Sequence, residues 1–179
     1  MKLKISLNNS KSIDEAIRQI QQYQADLEGK VLLALTRLAE QGAQIAKANA
    51  GEYGELLVFT VETETEGGIA TAYLVGADAQ KIISRWMREG EVVEAEVSPI
   101  LMSEFGSGQF AKNPLGVADV GRGTFPNQKH AHQSVWYWKE PDDDNLYSSS
   151  GFAPSQPMYN ARNAMIGLIR STFREVFNG

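Results

Sequence analysis

Apolar residues recur along this chain with two different periods, and the changes of period mark its organisation. Leu3, Ile5 and Leu7 alternate with polar neighbours, the pattern of a short edge strand. Ser12-Ile13-Asp14-Glu15 reads as a capping box, in which Ser12 accepts a first-turn N–H and Glu15 reaches back. Ile13, Ile17, Ile20 and Leu27 then share one helical face. Beyond Gly29 the set Val31, Leu35, Leu38 and Ile45 repeats at helical spacing, with Ala34, Ala39, Ala43 and Ala46 beside it. The spacing predicts one helix to about Glu28 and another from about Lys30 to Asn49, or a single kinked rod, since a lone glycine costs only about 1 kcal/mol inside a helix.

Gly51 and Gly54 end that region, and the period drops to two. Leu56 to Glu64 and Ile69 to Val75 have strand character, and Glu66-Gly67-Gly68 between them signals a hairpin, because glycine supplies positive φ at the turn. Asp78 to Arg88 has no decisive period. Ile82, Ile83, Trp86 and Met87 fit one side of a short helix whose other side carries Lys81, Arg85 and Arg88. Glu91 to Val97 alternates as a further strand, and the apolar run Ile100-Leu101-Met102 leads into Glu104-Phe105-Gly106-Ser107-Gly108.

From about residue 109 to 155 Gly, Pro, Asn, Asp and Ser dominate without a long period. Phe110, Leu115, Val117, Phe125, Val135, Trp136, Tyr137 and Trp138 are nevertheless scattered through the tract, more large apolar groups than a disordered linker carries. The reading is an ordered, partly extended loop with at least one strand near Val135 to Lys139. A final helix follows from about Met158 to Phe177. Pro157 suits its first turn, where no N–H is needed, and Ser155 or Gln156 supplies the cap. Met158, Ala161, Met165, Leu168, Ile169, Thr172 and Val176 form its apolar stripe, with Arg162, Arg170 and Arg174 off it. Together these elements predict one α+β domain over residues 1–179, with N-terminal helices and a C-terminal helix packed on an antiparallel sheet and a long ordered loop at about 109–155.

Composition narrows the function. The 179 residues are 42% hydrophobic and 22% charged, ordinary for a globular domain that buries a core. The absence of cysteine excludes disulfides and thiolate metal sites. A net charge of −5 gains little from counterion release, so non-specific DNA binding is expected to be weak. The opening Met1-Lys2-Leu3-Lys4-Ile5-Ser6 is too polar for a signal peptide, and no apolar run of about 18 residues predicts a membrane span.

Several chemistries compete with structural roles. His130 and His132, with Asp142, Asp143 or Asp144, suit a metal-dependent hydrolase, but fixed ligand spacing is missing and loop-packing histidines are the simpler reading. Lys81, Arg85 and Arg88 with Trp86, Trp136, Tyr137 and Trp138 suit a nucleic-acid adaptor with a stacking platform, against core packing or subunit contact. Ser148-Ser149-Ser150 lacks a nucleophile elbow, and Gly106-Ser107-Gly108 and Gly121-Arg122-Gly123 lack the Lys-Ser/Thr ending of a phosphate loop. Glu104 beside two glycines is expected to accept backbone N–H groups from the tight loop that follows, fixing its shape, rather than to act as an acid with Glu94 or Glu96.

The segment Ile100-Leu101-Met102-Ser103-Glu104-Phe105-Gly106-Ser107-Gly108, then a variable loop, then Gly151-x-x-Pro154-x-x-Pro157-Met158-Tyr159-Asn160-Ala161 opening a terminal helix, resembles the tail-component family of long-tailed bacteriophages and prophages. The family's glutamate–phenylalanine–glycine–threonine/serine–glycine signature matches Glu104 to Gly108. Its proline-aromatic approach to the last helix matches Pro157 to Ala161, with Met158 where phenylalanine is commoner. The resemblance spans most of the chain, and the order of these short motifs carries its specificity. It implies a non-enzymatic ring protein at the head–tail junction or tail end, in the virion and, during assembly, in the host bacterial cytoplasm. No cofactor, metal, specific nucleic acid or membrane is implied; the partners are further copies of the chain and neighbouring tail or connector proteins. Glu104, Gly106 and Gly108 are expected to set loop geometry, Phe105, Phe110, Trp136 and Trp138 to anchor interfaces, and Pro157 and Met158 to set the terminal helix.

Overall fold

A computed structural model describes residues 10–110 and 135–178. Its backbone is one 39-residue helix α1 (Ser10–Ala48), a 3₁₀ segment (Gly51–Leu56), strands β1 (Leu57–Glu66), β2 (Ile69–Asp78), β3 (Ile82–Arg88) and β4 (Glu91–Val97), a short helix α2 (Pro99–Phe105), a 3₁₀ turn (Gly108–Phe110), strands β5 (Trp136–Lys139) and β6 (Leu146–Ser149), and helix α3 (Pro157–Asn178). The architecture is α+β. The expected N-terminal strand lies outside the described residues.

The two expected N-terminal helices are one. Gly29 sits within α1 with open space around it, so nothing there interrupts the backbone ladder. The helix already runs at Ser10, ahead of the expected capping box, and Glu15 accepts from Arg18 and Gln19 on the next turn. The second half of α1 packs antiparallel to α3: Asn160 reaches Asn49, Thr172 reaches Gln41, and Lys30 lies over the Phe177 ring. Small residues make this approach close. Ala34, Ala39, Ala46 and Ala161 are buried, and a Cβ on Gly42 would fall on the Met165 sulfur. Ridges of full-sized side chains would hold the two axes further apart.

Helix α1 covers one face of the β1–β2 hairpin, which carries Leu57, Phe59 and Val61 opposite Asp78, Gly76 and Leu74, and α3 reaches it at Met158, beside Gly76. Gly67 and Gly68 both have positive φ, the geometry of a two-residue turn that matches strand twist. The expected sheet is three separate two-stranded antiparallel ribbons, β1–β2, β3–β4 and β5–β6. Asp78 to Arg88 is no helix. Its residues 82–88 pair in register with β4, which puts Ile82 opposite the buried Val97 and Arg85 opposite Glu94, around a turn at Glu89 and Gly90, both at positive φ. Seven residues with apolar groups at both parities fit a short helix or a strand equally well. The oppositely charged partner strand decides.

Candidate functional site

The two segments that carry the resemblance meet in space. Ser98 accepts from Leu101 N–H as the N-cap of α2, Pro99 occupies the first turn, and Asp78 accepts from Ile100 N–H at 2.8 Å. The helix stops at Gly106, whose N–H still donates to the Met102 carbonyl and whose φ of 70° then turns the chain out of the helix. Ser107 and Phe152 then exchange backbone hydrogen bonds like a two-residue strand pair, and the Ser107 hydroxyl also accepts from Phe152 N–H. A Cβ on Gly106 would stand 2.6 Å from the Phe152 carbonyl oxygen and 2.7 Å from Pro154 Cδ. One on Gly151, at φ 99°, would overlap the Ser107 carbonyl. Each glycine is therefore required twice, by its backbone conformation and by the other segment's proximity.

Glu104 ties this clasp to α3. Its Oε2 accepts from Met158 N–H at 2.8 Å and its Oε1 from Tyr159 N–H at 3.0 Å. The first N–H groups of a helix have no partner inside it, and the N-terminal dipole favours a negative charge there. Glu104 thus fixes a helix more than fifty residues away, not the loop that follows it as its neighbouring glycines suggested. Neither Ser155 nor Gln156 caps α3 through a side chain. Gln156 stands at φ 56°, a conformation that costs about 1 kcal/mol outside glycine. It is held there by Gln156 N–H and Ser155 N–H, which both donate to the carbonyl of buried Ser103 at 2.9 Å, while the Ser103 hydroxyl donates to Ala50. Pro157 is buried in the first turn, as expected.

The other expected residues divide. Phe105 is 8% exposed and belongs to the core. Phe110 is 40% exposed. Trp138 is half-buried and stacks on Tyr147 across β5–β6, ring centroids 5.8 Å apart, while Tyr137 points outward. The side chain of Trp136, and His130, His132 and Gly121-Arg122-Gly123, lie outside the described residues. Asp143 accepts from the Tyr147 hydroxyl and from Asn145 N–H, and Asp144 pairs with Lys139. Among the described residues no cluster of His, Asp or Glu could hold a metal ion. Lys81 pairs with Glu96 and Arg85 with Glu94 in exposed ion pairs, which occupy the carboxylates considered as Glu104's partners. Among the described residues no helix is long and apolar enough to cross a membrane.

Sequence reasoning missed α2, although Ser98-Pro99 is a helix start signal, and missed β3, although Glu89-Gly90 with opposite charges on either side signals a ribbon. The described residues thus define an α+β fold whose motif carboxylate and glycines lock two segments and a helix start together. No protein-family model, curated protein or solved structure matches the chain.

Proposed function

We propose that this chain is a structural component of a bacteriophage or prophage tail. It forms a ring at the head–tail junction or tail end and works by joining neighbours, without catalysis. One observation carries the reading: the Glu104–Gly108 and Gly151–Met158 motifs, which support the resemblance, contact one another and spend their polar groups on holding backbone. A clasp of this kind gives a subunit a rigid frame from which loops and ribbons reach other proteins. An acidic chain around a DNA passage also avoids gripping the duplex. In this reading the protein resides in the tail or neck of the virion and in the bacterial cytoplasm before assembly.

The test is genetic and visual. Deleting the chain from the phage or prophage that encodes it leaves DNA-filled heads and unjoined or open-ended tails in negative stain, and supplying the chain in trans restores joined particles. The Trp136→Ala, Trp138→Ala double variant restores them poorly. Undiminished yields of joined, infectious particles after deletion sink the reading.

A further inference from the structure

Among the described residues, helix α1 is longer than anything packed on it. Helix α3 ends at the level of Lys30, so the first twenty residues of α1, about 30 Å of helix, run on past it. Along this overhang Ile13, Ile17, Ile20 and Leu27 continue the apolar face that α3 and the β1–β2 ribbon cover further on, and all are exposed, Ile17 and Ile20 by 49% each. Among the described residues of the overhang, only Ala16 is buried. A second uncovered stripe lies on α3, where Ile166 and Ile169 are 54% and 46% exposed and Phe173 follows one turn on. Beside it Leu38, Leu74, Met165 and Arg162 line an apolar groove of about 250 Å³. That is below the size of an ordinary small-molecule pocket and suits inserted side chains.

The two stripes oppose in charge. Ile13 to Leu27 spans about 21 Å and Ile166 to Phe173 about 10 Å at the helical rise, so the α3 stripe meets only the middle of the overhang. The overhang carries Asp14, Glu15, Asp26 and Glu28 against Lys11 and Arg18, whereas α3 carries Arg162, Arg170 and Arg174 against Glu175. None of the ion pairs found among the described residues uses those three arginines. Pairing two overhangs would bring an acidic surface against itself; an overhang on α3 brings opposite charges together and favours that register.

We propose that the α1 overhang of one copy docks on the α3 stripe of a second copy, Ile17 and Ile20 seating against Ile166 and Ile169. Because the two surfaces differ, the contact is heterologous: each subunit offers an overhang to one neighbour and a groove to the other, and the series closes into a ring when the rotation permits. The inference rests on the ring reading above and names its interface.

The chain has no cysteine, so engineered thiols report without background. Ile20→Cys and Ile169→Cys are made separately in the full chain, both at exposed positions, and their folding is checked by circular dichroism. Mild oxidation of the mixture is expected to give a cross-linked dimer containing one chain of each kind. Either variant alone is expected to stay uncross-linked, and Arg162→Glu with Arg170→Glu on the Ile169→Cys chain is expected to lower the yield severalfold at low salt. Cross-linking of Ile20→Cys with itself, or none in the mixture at any concentration, overturns the proposal. Imaging of the wild-type chain separates the two levels of failure. Rings without the mixed cross-link overturn this interface and leave the ring reading standing. The mixed cross-link in open filaments keeps the interface and overturns the ring.

Discussion

The Glu104 carboxylate supplies the two acceptors that the first turn of α3 lacks. Hydrogen bonds to a charged acceptor contribute more than neutral ones, and an unmet helix N-terminus is a recognised cost. Glu104→Ala is therefore expected to lower unfolding free energy by about 2 kcal/mol, and Glu104→Gln, which keeps one acceptor but no charge, by about 1 kcal/mol. Urea denaturation followed by circular dichroism measures both. Equal stability of all three proteins would show that the carboxylate does not hold the helix. Gly106 and Gly151 leave no such gradation, because any side chain there meets backbone that has nowhere to move.

Within elements, two glycines of α1 separate local preference from packing. Gly29 faces open space, so Gly29→Ala gains helix propensity and is expected to raise stability by about 0.5–1 kcal/mol. At Gly42 the same gain is opposed by contact with Met165 and with Leu74 Cδ2, 3.1 Å from the new Cβ. Overpacking costs about 1–3 kcal/mol, moderated here because both neighbours are side-chain ends, so Gly42→Ala is expected to lose about 1 kcal/mol net. Opposite signs in thermal melts are the check. The β5–β6 ribbon carries a pH dependence. The Tyr147 hydroxyl, then Asn145, hold the Asp143 carboxyl below its usual range, and Lys139 does the same for Asp144. Groups lowered in the folded state contribute stability above their unfolded value, about pH 4, and lose it as pH falls through the lowered one. Bonding to Asp143 raises the Tyr147 hydroxyl, which stays a neutral donor across neutral pH. With Trp86→Phe and Trp136→Phe, Trp138 emission is expected to step below about pH 4. The same step surviving in the Asp143→Asn, Asp144→Asn protein would remove the explanation.

Across the whole molecule, burial is uneven. The core gathers where α1, α3, α2 and β1–β2 converge, at Ala34, Ala46, Leu57, Val97, Met102 and Ala161. Away from it, β1 is exposed from Glu62 outward, and Ile69, Ile83, Tyr137 and Leu146 face outward on the ribbons. A lone two-stranded ribbon is marginal in water and presents unpaired edges. The proposed ring would use these exposed ribbons for contact with neighbouring copies.

Helices α1 and α3, the β1–β2 ribbon with its Gly67-Gly68 turn, strand β4 and the buried Pro157 were legible in the sequence, because each follows from a period, a φ or a missing N–H within a few residues. Local patterns also set the α+β class. The order of the clasp motifs was legible too, but not what Glu104 does, since its partners at Met158 and Tyr159 lie outside any sequence window. Tertiary pairing likewise decided that residues 82–88 form a strand, because only the register with Glu94 and Val97 separates the alternatives. Packing, finally, decided which part of the apolar face of α1 is covered: the stripe is written along the whole helix, but α3 is only twenty-two residues long and runs out at Lys30.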